Sequence, residues 1–176
     1  MTADPAPRPM RADDVEAVDA LMVAAFEDLE RRLEPDPTPI ERDEARVAAS
    51  RARVARLQSA HGDGCWVVDG DERLAAASLA LRSEDVWGLS LLVVDPETQS
   101  GGLGRAAMRA SLSSAEGARV RLIMSSGDHR ALRLYAATGH RLHPALRVMG
   151  RVDRARRAPR RRPRRRVEPR RAPAGR

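Results

Sequence analysis

Leu91-Leu92-Val93-Val94-Asp95-Pro96-Glu97-Thr98-Gln99-Ser100-Gly101-Gly102-Leu103-Gly104-Arg105-Ala106-Ala107-Met108 holds an apolar run, a Pro-marked turn, a Gln, a glycine cluster and the start of an amphipathic segment, in that order. The run predicts a buried strand, and the apolar period after the glycines predicts a helix. A strand that passes through glycines into a helix N-terminus offers unpaired amides and the positive end of the helix dipole. Glycine also lets a phosphate come close to the backbone. The stretch therefore predicts an anion-binding loop.

Around it, the pattern alternates between strand and helix periods. Residues 8–11 read as a short first strand. Asp13 or Asp14 caps a helix with Val15, Val18, Met22, Ala25, Phe26 and Leu29 on one face. The alternating prolines Pro35, Pro37 and Pro39 end it. A second helix carries Ile40, Val47 and Val54 at sevenfold spacing. Residues 65–68 and 73–81 form a hairpin about Asp69-Gly70-Asp71. Residues 86–94 make a nearly continuous apolar strand, as a central strand requires. The glycine loop and a helix to about Ala115 follow. Residues 120–124 form another strand, and Asp128 caps a helix through Thr138 that Gly139 terminates. Residues 141–149 read as a last strand. The order β-α-α-β-β-β-α-β-α-β predicts an α/β (α+β) fold with one mixed sheet and helices on both faces.

Composition bounds the reading. The chain has 176 residues, room for one real core, and only four aromatic side chains: Phe26, Trp66, Trp87 and Tyr135. All 32 basic residues are Arg. The net charge of +7 is unevenly shared. Residues 151–176 hold 13 Arg against two acids, +11, while residues 1–150 hold 19 Arg against 23 acids, −4. The expected organisation is a mildly acidic domain over residues 1–150 and a disordered Arg/Pro-rich tail over 151–176. A nucleic-acid argument from charge applies to the tail alone. Its Arg clusters suit weak, salt-sensitive and unselective phosphate binding. Cys65 is the single cysteine, so no intrachain disulfide forms. The longest helical apolar run, residues 20–26, is too short to span a bilayer, and the start shows no secretory pattern. A cytoplasmic setting is expected.

Several phosphate loops compete for the glycines. A P-loop requires Gly-x-x-x-x-Gly-Lys, and the chain has no Lys. A dinucleotide fingerprint can be laid on Gly102-x-Gly104-x-x-Ala107, yet residues 95–100 separate the strand from those glycines where that motif turns tightly. A purely structural glycine loop is the remaining alternative. Two further stretches bear on the choice: Val94-Asp95-Pro96-Glu97, and Asp128-His129-Arg130-Ala131-Leu132-Arg133-Leu134-Tyr135-Ala136-Ala137-Thr138-Gly139-His140. Together with Gln99-Ser100-Gly101-Gly102-Leu103-Gly104 and the element order over residues 8–149, they resemble the GNAT superfamily of N-acetyltransferases.

The resemblance implies transfer of an acetyl group from acetyl-CoA to a primary amine. It places the backbone of Leu92, Val93 and Val94 against the pantetheine, with a strand amide near Val93 polarising the thioester carbonyl. It gives the pyrophosphate to the amides of Gln99, Ser100, Gly101, Gly102, Leu103 and Gly104, with Arg105. Tyr135 becomes the proton donor to the leaving thiolate; otherwise it is a helix tyrosine packed on the sheet. Three departures stand out. Asp128 replaces the motif's Asn, a cofactor-binding position where an ionised carboxylate cannot donate. His140 replaces its closing Phe, and no seventh strand is evident. Glu84 and Asp85, at the start of the central strand, are candidate bases, with a solvated turn as the plain alternative. His129, His140 and His143 have no spacing that forms a helical ligand pair, and no metal is expected. Glu34 and Asp36 could favour a cationic acceptor, or be an ordinary charged loop. A non-catalytic acyl-CoA-binding relative, or a protein acting through its tail on nucleic acid, are the rival functions.

Overall fold

The computed structural model describes residues 6–33, 42–98 and 101–146. Five strands make one sheet in the order β1-β2-β3-β4-β5: Arg8–Pro9, Cys65–Asp69, Leu74–Ser83, Val86–Val94 and Val120–Ile123. The first four pair antiparallel, and β5 pairs parallel to β4. Four helices accompany them: α1 (Val15–Leu33), α2 (Glu44–Ala60), α3 (Leu103–Leu112) and α4 (His129–Ala137). The element order expected over residues 8–138 is the order found. Two compact units divide the chain, Met1–Leu142 and His143–Arg176. Among the described residues no helix is long and apolar enough to cross a membrane.

Local chemistry starts each helix. Asp14 accepts the Arg11 amide at 2.6 Å and the Arg8 guanidinium at 2.8 and 2.9 Å, which fixes the turn into α1. Asp43 caps α2 by accepting from the Arg46 amide at 2.8 Å. The helix expected from Ile40 therefore starts at Glu44, and Ile40 lies outside the described residues.

The sheet is covered on both faces because its strands alternate their side chains. Val18 and Leu21 of α1 and Val54 and Leu57 of α2 pack on Cys65, Val67, Ala77, Leu79, Leu91 and Val93. On the other face, Leu103 and Ala107 of α3 pack on Val68 and Ala76, and Met108 and Tyr135 pack with Ala80, Trp87 and Leu89. Trp87 is fully buried and donates from Nε1 to Ser114 Oγ at 3.0 Å, so its one polar atom is satisfied. Asp19 of α1 is buried yet accepts from Ser50 at 2.5 Å and Arg42 at 3.0 Å, which staples α1 to α2.

The last strand expected over 141–149 does not form over its described part. Residues 141–146 are exposed and lack regular structure, and Pro144 cannot donate to a ladder. Residues 147–149 lie outside the described residues, as does the Arg-rich segment 151–176. Val120 and Leu122 of β5 are exposed.

Candidate functional site

Strands β4 and β5 part half-way along β4. Their pairing runs from Val86↔Val120 to Leu89↔Ile123 and then stops. Residue 90 marks the break. On the β3 side, Leu91 pairs with Leu79 and Leu89 with Ala80, which leaves Ser90 as the extra residue of a bulge. The bulge turns the strand over. Below it, Trp87 and Leu89 face α3 and α4; above it, Leu91 and Val93 face α1 and α2.

Backbone polarity follows from the same register. The Asp95 amide donates to the Ala75 carbonyl at 2.8 Å, one step past the pair Ala76↔Val94. Hydrogen-bonded and non-hydrogen-bonded positions alternate along an antiparallel pair. Leu91 and Val93 therefore spend their amides and carbonyls on β3, whereas Leu92 and Val94 turn theirs to the edge that β5 has left. Of the three strand residues singled out from sequence, Leu92 and Val94 present open backbone groups and Val93 does not.

A cavity of about 770 Å³ fills the opening. Residues 89–94 form one wall, and Ile123, Met124 and the start of α4 form the other. One end reaches Gly102, Leu103, Gly104 and Arg105 at the start of α3. Gly102 has φ +79°, a left-handed conformation that disfavours any side chain. Its carbonyl accepts from the Ala106 amide at 3.0 Å, so the preceding amides of Leu103, Gly104 and Arg105 have no intrahelical partner. A Cβ on Gly104 would stand 3.2 Å from Val94 Cγ2, so the absent side chain lets the start of α3 seat on the end of β4. Asp95, nearly fully buried, fixes the exit of the strand. It accepts from Arg73 Nη2 at 3.0 Å and from the Glu97 amide at 3.1 Å. Burial pushes its carboxyl up, but these bonds outweigh burial and hold it below the usual carboxylate range.

On the other wall Tyr135 is buried, and among the described residues its hydroxyl has no hydrogen-bond partner. Burial, and secondarily the charge of Asp128, push the phenol up to about 12. Its neutral form is thus held, and the proton remains available to donate at neutral pH. Asp128 caps α4 through the Arg130 amide at 2.8 Å and accepts from Arg32 of α1 at 3.2 Å. Burial raises its carboxyl, and the Arg130 amide and the Arg32 guanidinium more than offset that, leaving it below the ordinary value.

The structure thus brings Leu92, Val93, Val94, Gly102, Leu103, Gly104, Arg105, Asp128 and Tyr135 to one cavity. Gly101 is exposed beside it, and Gln99 and Ser100 lie outside the described residues. Glu84 and Asp85 are not brought there. They form the exposed β3–β4 turn, at the opposite end of β4 from the opening, which overturns their reading as bases. The Asp85 carbonyl instead accepts the amides of Arg119 and Val120 and guides the chain into β5. His129 is exposed at the first turn of α4, His143 is exposed beyond it, and His140 lies 6.2 Å from Trp87, ring centre to ring centre. Cys65 is fully buried, and burial pushes its thiol up to about 11, so it is unreactive at neutral pH.

Sequence reading missed one wall. The face expected for α1 divides: Val15, Val18, Met22 and Ala25 pack on the core, while Phe26 and Leu29 line the cavity with Arg32. It also missed the bulge, although Ser90 is the one polar residue in an otherwise apolar strand and was the signal available.

An acyl-CoA suits this arrangement on three grounds: a strand edge with open amides, an uncapped helix start with an adjacent Arg105, and a long cavity joining them. The comparisons agree. Among curated proteins none matches the chain significantly in sequence. A proposed acetyltransferase from Pyrococcus horikoshii shares the fold at TM-score 0.57 and 16% identity, over 79% of this chain and 44% of that one. This chain thus spans less than half of that protein. PH1933 from Pyrococcus horikoshii OT3 superposes at TM-score 0.57 with 14% identity, over 78% of this chain and 88% of the other. Diaminobutyrate acetyltransferase EctA from Paenibacillus lautus, solved with its substrate L-2,4-diaminobutyric acid and coenzyme A, gives TM-score 0.53 at 14% identity, over 75% and 72% of the two chains. The family profile for acetyltransferases of the GNAT type matches residues 23–140, a span that includes all three motif stretches, 94–97, 99–104 and 128–140. The chain belongs to the acetyltransferase (GNAT) family, whose members are acyl-CoA-dependent acyltransferases.

Proposed function

We propose that this chain transfers an acetyl group from acetyl-CoA to a primary amine. The observation that carries the reading is one cavity that joins the open edge of β4 to the uncapped start of α3 and runs past a neutral tyrosine. The thioester supplies the activated acyl group. The chain's own residues do the rest. The amides and carbonyls of Leu92 and Val94 pair with the pantetheine, and one of those amides donates to the thioester oxygen as charge develops there. The amides of Leu103, Gly104 and Arg105, with the Arg105 guanidinium, hold the pyrophosphate. Tyr135 donates its proton to the departing sulfur, and the proton that the amine nitrogen loses as the amide forms passes to solvent, from which Tyr135 is reprotonated. Asp128 acts through its cap on α4 and its bond to Arg32, which keep Tyr135 and α1 in place. The same proposal includes residues 1–150 as the working domain, acetyl-CoA as the specific donor and a cytoplasmic setting.

A second reading, a non-catalytic acyl-CoA binder, is favoured by one observation: the exposed apolar face of β5. Calorimetric titration of acetyl-CoA into the full chain tests the first requirement, with Gly102→Glu as the control. Saturable binding to the first and none to the second is expected; no binding to the folded wild-type chain would remove the proposal. Thiol release on a panel of amines then separates enzyme from binder, because a binder shows none.

A further inference from the structure

The bulge at Ser90 decides which amides of β4 face the cavity, and one side chain holds it. Arg53 of α2 donates from Nη2 to Ser90 Oγ at 2.7 Å and to the Ser90 carbonyl at 3.2 Å. Ser90 has no cross-strand partner on either side. Its carbonyl would otherwise depend on solvent at the mouth of the cavity. Arg53 is anchored by its neighbour Val54, which is fully buried in the α1–α2 core. A fixed helix therefore grips the one unpaired residue of the strand.

The consequence for register is large. A strand that loses its bulge slips by one residue, and a slip of one residue turns every position beyond it to the opposite side. Leu92 and Val94 would then point their amides at β3, and the edge facing the cavity would change. We infer that Arg53 is a positioning residue: by pinning the Ser90 bulge it keeps the Leu92 and Val94 amides aimed at the thioester. The inference rests on the acetyl-CoA reading above and extends it to a residue outside the cavity wall. Arg53 is exposed, so its removal leaves the core intact.

The test uses the infrared band of carbonyl-labelled acetyl-CoA bound to the full chain, which needs no acceptor. Donation from a strand amide lowers the band relative to free acetyl-CoA. Arg53→Ala is expected to lose at least half of that lowering and to weaken acetyl-CoA binding without abolishing it, because the pantetheine pairing is lost while the helix-start contacts persist. Arg53→Lys, which can still donate to the Ser90 carbonyl, is expected to restore most of it. Ser90→Ala keeps the carbonyl contact and should resemble wild type more than Arg53→Ala does. An unchanged band in Arg53→Ala overturns the inference and leaves the acetyl-CoA reading standing. So does a lost band that Arg53→Lys fails to restore, or a complete loss of binding with an intact thermal transition. Failure of the wild-type chain to bind acetyl-CoA overturns the underlying reading, and the inference with it.

Discussion

Arg32 Nη2, in the last turn of α1, donates to Asp128 Oδ2 at 3.2 Å, and the other oxygen of that carboxylate caps α4. One buried carboxylate thus ties the wall that carries Phe26 and Leu29 to the wall that carries Tyr135. Arg32 is held in turn by Asp28 at 2.9 Å, so the guanidinium reaches Asp128 from a fixed position.

Replacing Asp128 separates its two roles. Asp128→Ala is expected to cost about 1–2 kcal/mol of stability, the scale of a lost N-cap. Asp128→Asn keeps an acceptor for the Arg130 amide and should cost less. The carboxyl's folded pKa lies below its ordinary 3.8. Its stabilising share is therefore fully present above that value and is lost as pH falls through the folded pKa. Denaturant midpoints of wild type and Asp128→Asn should differ by a constant amount above about pH 4 and converge below it. A gap that persists unchanged into strong acid would contradict the ion pair.

Removing the hydroxyl of Tyr135 tests the proton donor. Tyr135→Phe should lower turnover by about 100-fold, the lower end of a general-acid contribution, and leave acetyl-CoA affinity nearly unchanged. Steady-state rates beside calorimetric titration check both halves. Equal loss of rate and affinity would make Tyr135 a packing residue.

The chain has one tyrosine, so tyrosinate absorbance reports Tyr135 alone. Its midpoint should fall near 12 in the folded chain, raised first by burial and then by Asp128. The sign for stability follows from linkage. A raised phenol contributes fully below its unfolded value and loses that share as pH rises through about 12. Spectrophotometric titration of wild type and Asp128→Asn should show the midpoint lower in the variant.

Gly102 is needed for its backbone and for its openness. At φ +79° any Cβ is strained, although nothing stands within 4 Å of it. Gly102→Ala should therefore cost about 1 kcal/mol in stability, read by thermal unfolding. Gly102→Glu adds a negative charge beside the helix start and should abolish acetyl-CoA binding while the fold survives. Retained binding in Gly102→Glu would separate the loop from the pyrophosphate.

The Arg-rich segment should act apart from the cavity. A chain truncated after Gly150 is expected to bind acetyl-CoA as the full chain does. Only the full chain should bind RNA or DNA, with affinity falling at least about 10-fold between about 50 and 200 mM salt. Fluorescence anisotropy on unrelated sequences checks this. Salt-insensitive or sequence-selective binding would point to a different kind of partner.

The glycine loop, the helix it opens and the order of the elements were legible in residues 86–138 because each rests on local chemistry. Glycine admits a positive φ at 102, apolar side chains repeat with the period of their element, and Asp128 sits where a cap must. Tyr135 and the glycine loop were singled out through the resemblance of their stretches to a known family, and the structure brings both to one cavity. The tertiary structure decided what depends on register between distant segments. It placed the bulge at Ser90, turned the amides of Leu92 and Val94 rather than Val93 to the cavity, sent Glu84 and Asp85 to the far end of the strand, and joined Arg32 to Asp128 across 96 positions of sequence. It also left residues 141–146 without the strand their pattern suggested. A strand's periodicity says which side chains share a face, but which edge is left open depends on where the neighbouring strand stops pairing. That limit is set by packing between elements and is written in no single stretch of the chain.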